Sequence, residues 1–180
     1  MADDMLIRSY SGYVRCDIPG LKAGSYTLTV RAWDDNGEEI AVSDPQVVTV
    51  KGQNREGFAF TDNVVPGGYN MDGTPKANAK IIYVTANNAN TVTCEVSDGK
   101  NLSTYTGLAN IISACGKDKT HTPLIVRVVG TVKNTDIEGL KDGNYLNFEG
   151  KNATDCSIEN ITLEGIGDDA ALYGYGVCFK

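Results

Sequence analysis

From residue 123 onward the chain repeats one pattern: a short β-branched run, a turn of Asn, Gly, Asp or Lys, then another run. The runs are LIVRVVGTV (124–132), YLNF (145–148), IENITL (158–163) and YGVCF (175–179). β-Branched and aromatic residues suit a pleated, half-buried surface, whereas Asn, Gly and Asp accept turn backbone. The landmarks Ile125, Leu146, Ile161 and Val177 are unevenly spaced, and hairpin signals do not separate all of them. A parallel β-helix fits this array: each strand pairs with its equivalent one coil later, and the inward residues stack into a continuous apolar column. An ordinary antiparallel sandwich is the alternative that the pattern leaves open. The pattern is still running at Lys180, with no closing helix or cap. The array is therefore expected to continue, and the chain reads as the front part of a larger protein.

With 180 residues, 41% of them hydrophobic and 22% charged, the chain can bury a core and does not have a disordered composition. A net charge of −7 and a pI near 4.7 argue against nucleic-acid binding, which needs Lys and Arg along a backbone-tracking face. No apolar stretch approaches the roughly 20 residues of a membrane-spanning helix. The acidic start, Met1-Ala-Asp-Asp, has no basic-then-apolar leader pattern.

Residues 1–52 read as antiparallel β. Strands are expected at 11–18 and 25–33, the second with Tyr26, Leu28, Val30 and Ala32 on one face. Asp34-Asp-Asn-Gly37 reads as a hairpin turn. Runs at 40–42 and 47–50 return, and Pro45 between them suits an edge strand or bulge. The stretch IPGLKAGSYTLTV (18–30) resembles the second half of an immunoglobulin-like or fibronectin-type-III-like module, which implies a partial antiparallel β-sandwich. Residues 53–180 form the second unit. Its first part, up to about residue 80, is a Gly-, Pro- and Asn-rich connector whose aromatics Phe58, Phe60 and Tyr69 are expected to pin it in place. Strands follow at 80–85 and 90–96. A helix is expected from 104 to 115, because Leu108, Ile111, Ile112 and Cys115 fall at helical spacing. Thr106 would cap its first amides and Gly116 would stop it. Its apolar face is expected to plug the first coil.

The segment Pro123-Leu-Ile-Val-Arg-Val-Val-Gly-Thr-Val132, followed by Ile161-Thr-Leu-Glu-Gly-Ile-Gly-Asp-Asp-Ala-Ala-Leu-Tyr-Gly-Tyr-Gly-Val177, resembles the opening coils of pectate lyases of polysaccharide lyase family 1. The likeness extends upstream through Gly57-Phe-Ala-Phe60, Gly68-Tyr-Asn-Met-Asp-Gly-Thr74, Lys80-Ile-Ile-Tyr-Val-Thr85 and the Thr106-Gly-Leu108 helix start, covering roughly the last two thirds of the chain. It implies an all-β protein: a right-handed parallel β-helix with one N-terminal capping helix, preceded by the partial sandwich. It also implies a secreted or cell-surface pectin-degrading enzyme that cleaves polygalacturonate by β-elimination. In such enzymes Ca²⁺ neutralises the substrate acid group while an unprotonated Arg takes the proton. The Ca²⁺ ligands and catalytic groups come on later coils, so no catalytic, cofactor-binding or metal residue is assigned within 1–180. This piece alone is expected to be inactive, and the full-length protein a monomer. The second reading is a non-catalytic carbohydrate-binding or adhesive β-solenoid surface protein.

Individual polar residues divide accordingly. Asp168 and Asp169, the adjacent carboxylates nearest the matched coils, read as a hydrogen-bonded corner. Arg127 lies mid-strand and reads as facing solvent. His121, the only histidine, has no accompanying nucleophile motif and reads as a loop residue. Asp34, Asp35, Glu38 and Glu39 lack the spacing of a calcium loop. Sequons at Asn101, Asn152 and Asn160 are what an Asn/Thr-rich sequence produces by chance. Cys16, Cys94, Cys115, Cys156 and Cys178 are scattered and read as small apolar thiols. Cys156 and Cys178 would pair only if successive coils stacked them.

Overall fold

The computed structural model describes residues 1–52, 58–98, 100–150 and 158–180. Strands dominate, with one α-helix among the described residues. In chain order the strands are β1 (Ile7–Tyr10), β2 (Tyr13–Cys16), β3 (Gly24–Leu28), β4 (Arg31–Trp33), β5 (Glu39–Val42) and β6 (Gln46–Val50). After the connector come β7 (Lys80–Val84), β8 (Thr93–Ser97), β9 (Leu102–Thr106), the helix α1 (Leu108–Cys115), β10 (Leu124–Lys133), β11 (Tyr145–Phe148), β12 (Ile161–Tyr173) and β13 (Gly176–Phe179).

From β7 onward two small sheets are parallel. In the first, β10 lies between β7 and β12, parallel to both. In the second, β11 pairs with β13, also in parallel. The strands of the repeated pattern therefore pair across long connections, not as neighbouring hairpins. A strand in a parallel sheet whose two faces are both covered reads as a nearly continuous apolar run. Residues 124–128 are buried without interruption, which is why LIVRV shows so little alternation.

The two faces of β10 have different neighbours. Leu124, Val126 and Val128 join Ile82 and Val84 of β7 and the helix residues Leu108, Ile111 and Ile112 in the main core. Val126 is the register partner of both Ile82 and Leu163, so the apolar stack runs straight across three strands. Leu146 and Phe148 close the core from the second sheet. Leu108, Ile111 and Ile112, each 1% exposed or less, anchor α1 against this core. Burying side chains of this size contributes about 1.5–3 kcal/mol each.

The sequence-based boundaries of several elements change. The expected 11–18 strand is a hairpin, because Ser11 and Gly12 form the turn between β1 and β2. The expected 25–33 strand breaks at Thr29 and Val30 into β3 and β4, which pair with β6 and β5. Residues 1–52 thus form three two-stranded antiparallel ladders. Val30, Trp33, Ile40, Val42 and Val47 are exposed on them. Residues 104–106 are not helical but extend β9, where Thr106, Tyr105 and Thr104 pair with Thr93, Cys94 and Glu95. β-Branched and aromatic side chains favour that ladder over helix.

Thr106 consequently does not cap α1. Gly107 takes the N-cap position at φ 84, with its own N–H on the Val92 carbonyl, and Leu108 N–H donates to the Ala89 carbonyl. A side chain would be strained at that φ and would lie 3.3 Å from the Asn90 carbonyl oxygen. Gly116 does end the helix, but at φ −64 it uses none of glycine's left-handed freedom. The requirement there is close approach: a Cβ would lie 2.1 Å from the Glu149 carbonyl oxygen.

Candidate functional site

The second face of the first parallel sheet carries a polar ladder. Tyr83, Arg127 and Glu164 are register partners on β7, β10 and β12, so strand pairing alone places the three side chains in one row. The connector covers that row. Gly68 packs so close to Ile125 that a Cβ would lie 2.5 Å from the Ile125 Cγ1, and this delivers Tyr69 onto Arg127. Arg127 Nε donates to Glu164 Oε1 at 2.9 Å, Nη1 to Tyr83 OH at 2.8 Å and Nη2 to Tyr69 OH at 3.0 Å. Tyr69 OH donates in turn to the same Glu164 oxygen.

The sequence-based placement of Arg127 in solvent is therefore corrected: only 4% of the residue is exposed. Two residues on from Ile125, Arg127 shares its face rather than the expected solvent-facing side, and that face is covered by Tyr69. Burial by itself would lower the guanidinium pKa, yet bonds to Tyr69 and Glu164 outweigh it and hold Arg127 firmly protonated. Burial and the Glu164 bond push the Tyr69 phenol up to about 12. Arg127 is thus a fixed cation without access to a polymer. It is unsuited to be a proton-abstracting base.

A second polar cluster ties the N-terminal hairpin to β12. Arg8 Nη2 donates to Asp17 Oδ2 at 2.7 Å, Arg8 Nη1 donates to Asp169 Oδ1, and Tyr10 OH donates to Asp169 Oδ2 at 3.1 Å. Arg15 Nη1 reaches Asp168 Oδ1 at 2.8 Å, and its Nε reaches Asp17 Oδ1 at 3.1 Å. The hydrogen-bonded corner read at Asp168 and Asp169 is therefore an ion-pair clamp whose basic half lies some 150 residues earlier in the chain. Its signal, two arginines two strands' length from an Asp, is too common to be read from sequence.

Asp17 and Asp169 both titrate below the usual carboxylate range. Burial would raise Asp17, but the bonds from Arg8 and Arg15 together outweigh it; for Asp169 the Arg8 bond leads and Tyr10 adds to it. A depressed carboxyl contributes stability that is complete above its unfolded pKa, near ~3.9, and is lost as pH falls through the folded value. Acidification below about pH 4 is therefore expected to release β1–β2 from β12. Amide exchange should accelerate in the hairpin while β10 stays protected, and Asp169→Asn should reproduce the effect at neutral pH. Equal loss of protection in β1–β2 and β10 would show that no separate clamp exists.

The remaining sequence candidates fall elsewhere. Asp34 Oδ1 accepts the amides of Asn36 and Glu38 at 2.9 and 2.8 Å, closing the β4–β5 turn. His121 lies at φ 50 in a loop held by Asp118, which accepts from Thr120 N–H and Thr122 N–H. Both ends of the Asn160 amide are engaged, by Lys76 Nζ at 2.7 Å and the His121 carbonyl at 3.1 Å, so this sequon is structural. Cys94 is buried, and burial pushes the Cys115 thiol up to about 12, leaving it inert at neutral pH. Cys156, its suggested pairing with Cys178 and the Asn152 sequon lie outside the described residues. Among the described residues no group of three or more His, Cys, Asp or Glu could hold a metal ion. Asp168 and Asp169, already paired to arginines, do not fit Ca²⁺, and no step through that ion is derived from them. No helix among the described residues is long and apolar enough to cross a membrane.

No family model, no curated protein and no solved structure matches this chain.

Proposed function

We propose that this chain builds the opening coils of a right-handed parallel β-helix belonging to a pectate-lyase-type enzyme. Its substrate would be de-esterified polygalacturonate and its reaction β-elimination. The observation that supports the reading most is the in-register parallel pairing of β7, β10 and β12, which carries the row Tyr83–Arg127–Glu164, together with the parallel β11–β13 pair. In such a solenoid α1 would stopper the apolar column, and residues 1–52 would belong to an immunoglobulin-like module. Ca²⁺ and the proton-abstracting Arg would engage groups other than the two ion-paired clusters described above.

The test is the gene product that carries this chain, incubated with polygalacturonate and calcium. Unsaturated uronate products should accumulate, detected by their ultraviolet absorbance, and chelator should stop them. Absence of such products with calcium present would overturn the lyase reading. A non-catalytic carbohydrate-binding solenoid is the second reading. It is favoured by the ion pairing of the charged groups in both polar clusters, which commits them to bonds within the fold.

A further inference from the structure

A groove runs beside α1 where the corner at 137–140 and β11 meet the helix. It consists of two adjoining cavities of about 280 and 310 Å³ that share Ala109 and Glu138. Each is near the lower end of the ~300–1,000 Å³ range of small-ligand sites. We propose that this groove binds a neutral oligosaccharide, a use that is independent of the lyase reading and of polygalacturonate.

Three features carry the assignment. The first is an aromatic platform. Tyr145 points outward from β11 and is 60% exposed. Its register partner on β13 is Gly176, where a Cβ would lie 2.7 Å from the Tyr145 ring. The glycine lets the ring lie across the neighbouring strand, held in place with much of its surface in water. A sugar ring covers such a surface with its apolar C–H face, and Tyr loses little conformational entropy in being covered.

The second feature is unspent hydrogen-bonding capacity. The side chains of Glu138, Asn147 and Glu149 make no hydrogen bond among the described residues, although all three line the groove. Asn90 Oδ1 accepts the Glu138 amide at 2.8 Å, which fixes that corner and leaves the Asn90 NH₂ available. Asn110 Nδ2 donates to the Thr106 carbonyl at 2.9 Å, which leaves its oxygen available. Carboxylates and amides of this kind match the paired donor and acceptor pattern of vicinal hydroxyls.

The third is charge. Among the described residues two carboxylates and no Lys or Arg line the cavities, which disfavours an anionic uronate chain relative to an uncharged sugar.

The experiment titrates the 180-residue chain, followed by amide NMR shifts, with cello-, xylo-, manno-, galacto- and arabino-oligosaccharides, and with oligogalacturonate in parallel. At least one neutral oligomer should bind at millimolar concentration or better and shift Ala109, Glu138 and Tyr145 together. Tyr145→Ala should weaken that binding at least tenfold, and Glu138→Gln should weaken it while leaving the melting temperature unchanged. Phe179→Ala, an exposed aromatic outside the groove, should bind as the native chain does. No shift with any neutral oligomer, unchanged affinity in Tyr145→Ala, or tighter binding of oligogalacturonate without added cation would each overturn the proposal.

Discussion

Replacing Arg127 by Met is expected to lower the melting temperature by roughly 6–20 °C, the equivalent of about 3–5 kcal/mol in a chain of this length. The substitution is nearly volume-conserving, so the loss does not come from a cavity. It comes from the groups left behind: Glu164 keeps a partly buried negative charge, and Tyr69 OH and Tyr83 OH each lose the guanidinium that bonded them. Removing one member of a buried ion pair costs far more than removing the whole pair. Arg127→Met combined with Glu164→Gln and Tyr69→Phe should therefore recover most of the stability lost in the single variant. Arg127→Lys should fall between, because a single ammonium cannot reach three acceptors that the planar fork serves together. Thermal unfolding of the four proteins checks the series. A single variant that melts with the native chain would mean that the guanidinium is solvated, contrary to the 4% exposure of Arg127.

The same residue shows how far sequence reading reaches. The expected solvent-facing position of Arg127 does not hold: two residues from Ile125, it lies on the same covered face. Whether a face meets water depends on what covers it, and the cover here is Tyr69, 58 residues upstream in a loop without periodicity. The parallel pairing was more legible: residues 124–128 form a nearly continuous apolar run of the kind found in a strand buried on both faces, and hairpin signals do not separate all of the runs. The start of α1 was misplaced because helical spacing at Leu108, Ile111 and Ile112 extends backwards by arithmetic, whereas Leu102–Thr106 has a pairing partner in β8 that periodicity does not show. Glu138 and Tyr145 were not singled out at all. Their groove exists only once α1, the 137–140 corner and β11 are brought together, and the faint local signal was a glycine at 176 that pairs with an aromatic residue on the neighbouring parallel strand.

Phe148→Ala should be about as damaging as Arg127→Met, at about 3–5 kcal/mol, but for the opposite chemical reason. Phe148 is fully buried, among the largest side chains with no solvent contact, and its ring stacks on Phe179 at 4.7 Å between centroids and 22° between planes. The two are register partners in the parallel β11–β13 pair, so the stack repeats along the sheet as the backbone does. Truncating Phe148 removes the packing of a whole ring against Leu146, the helix and its stacking partner, and the surrounding strands cannot collapse into the void without breaking register. Phe179 has the same chemistry at the next height but is 59% exposed. Its truncation should cost only about 1 kcal/mol, mostly the aromatic contact. The asymmetry tests whether burial rises inward along one column of stacked residues. Chemical denaturation of Phe148→Ala and Phe179→Ala measures both, and equal losses from the two variants would contradict a core that begins beneath β13. Phe148→Leu, which keeps most of the volume, should recover at least half of the loss because area removed from water, more than ring stacking, dominates this site.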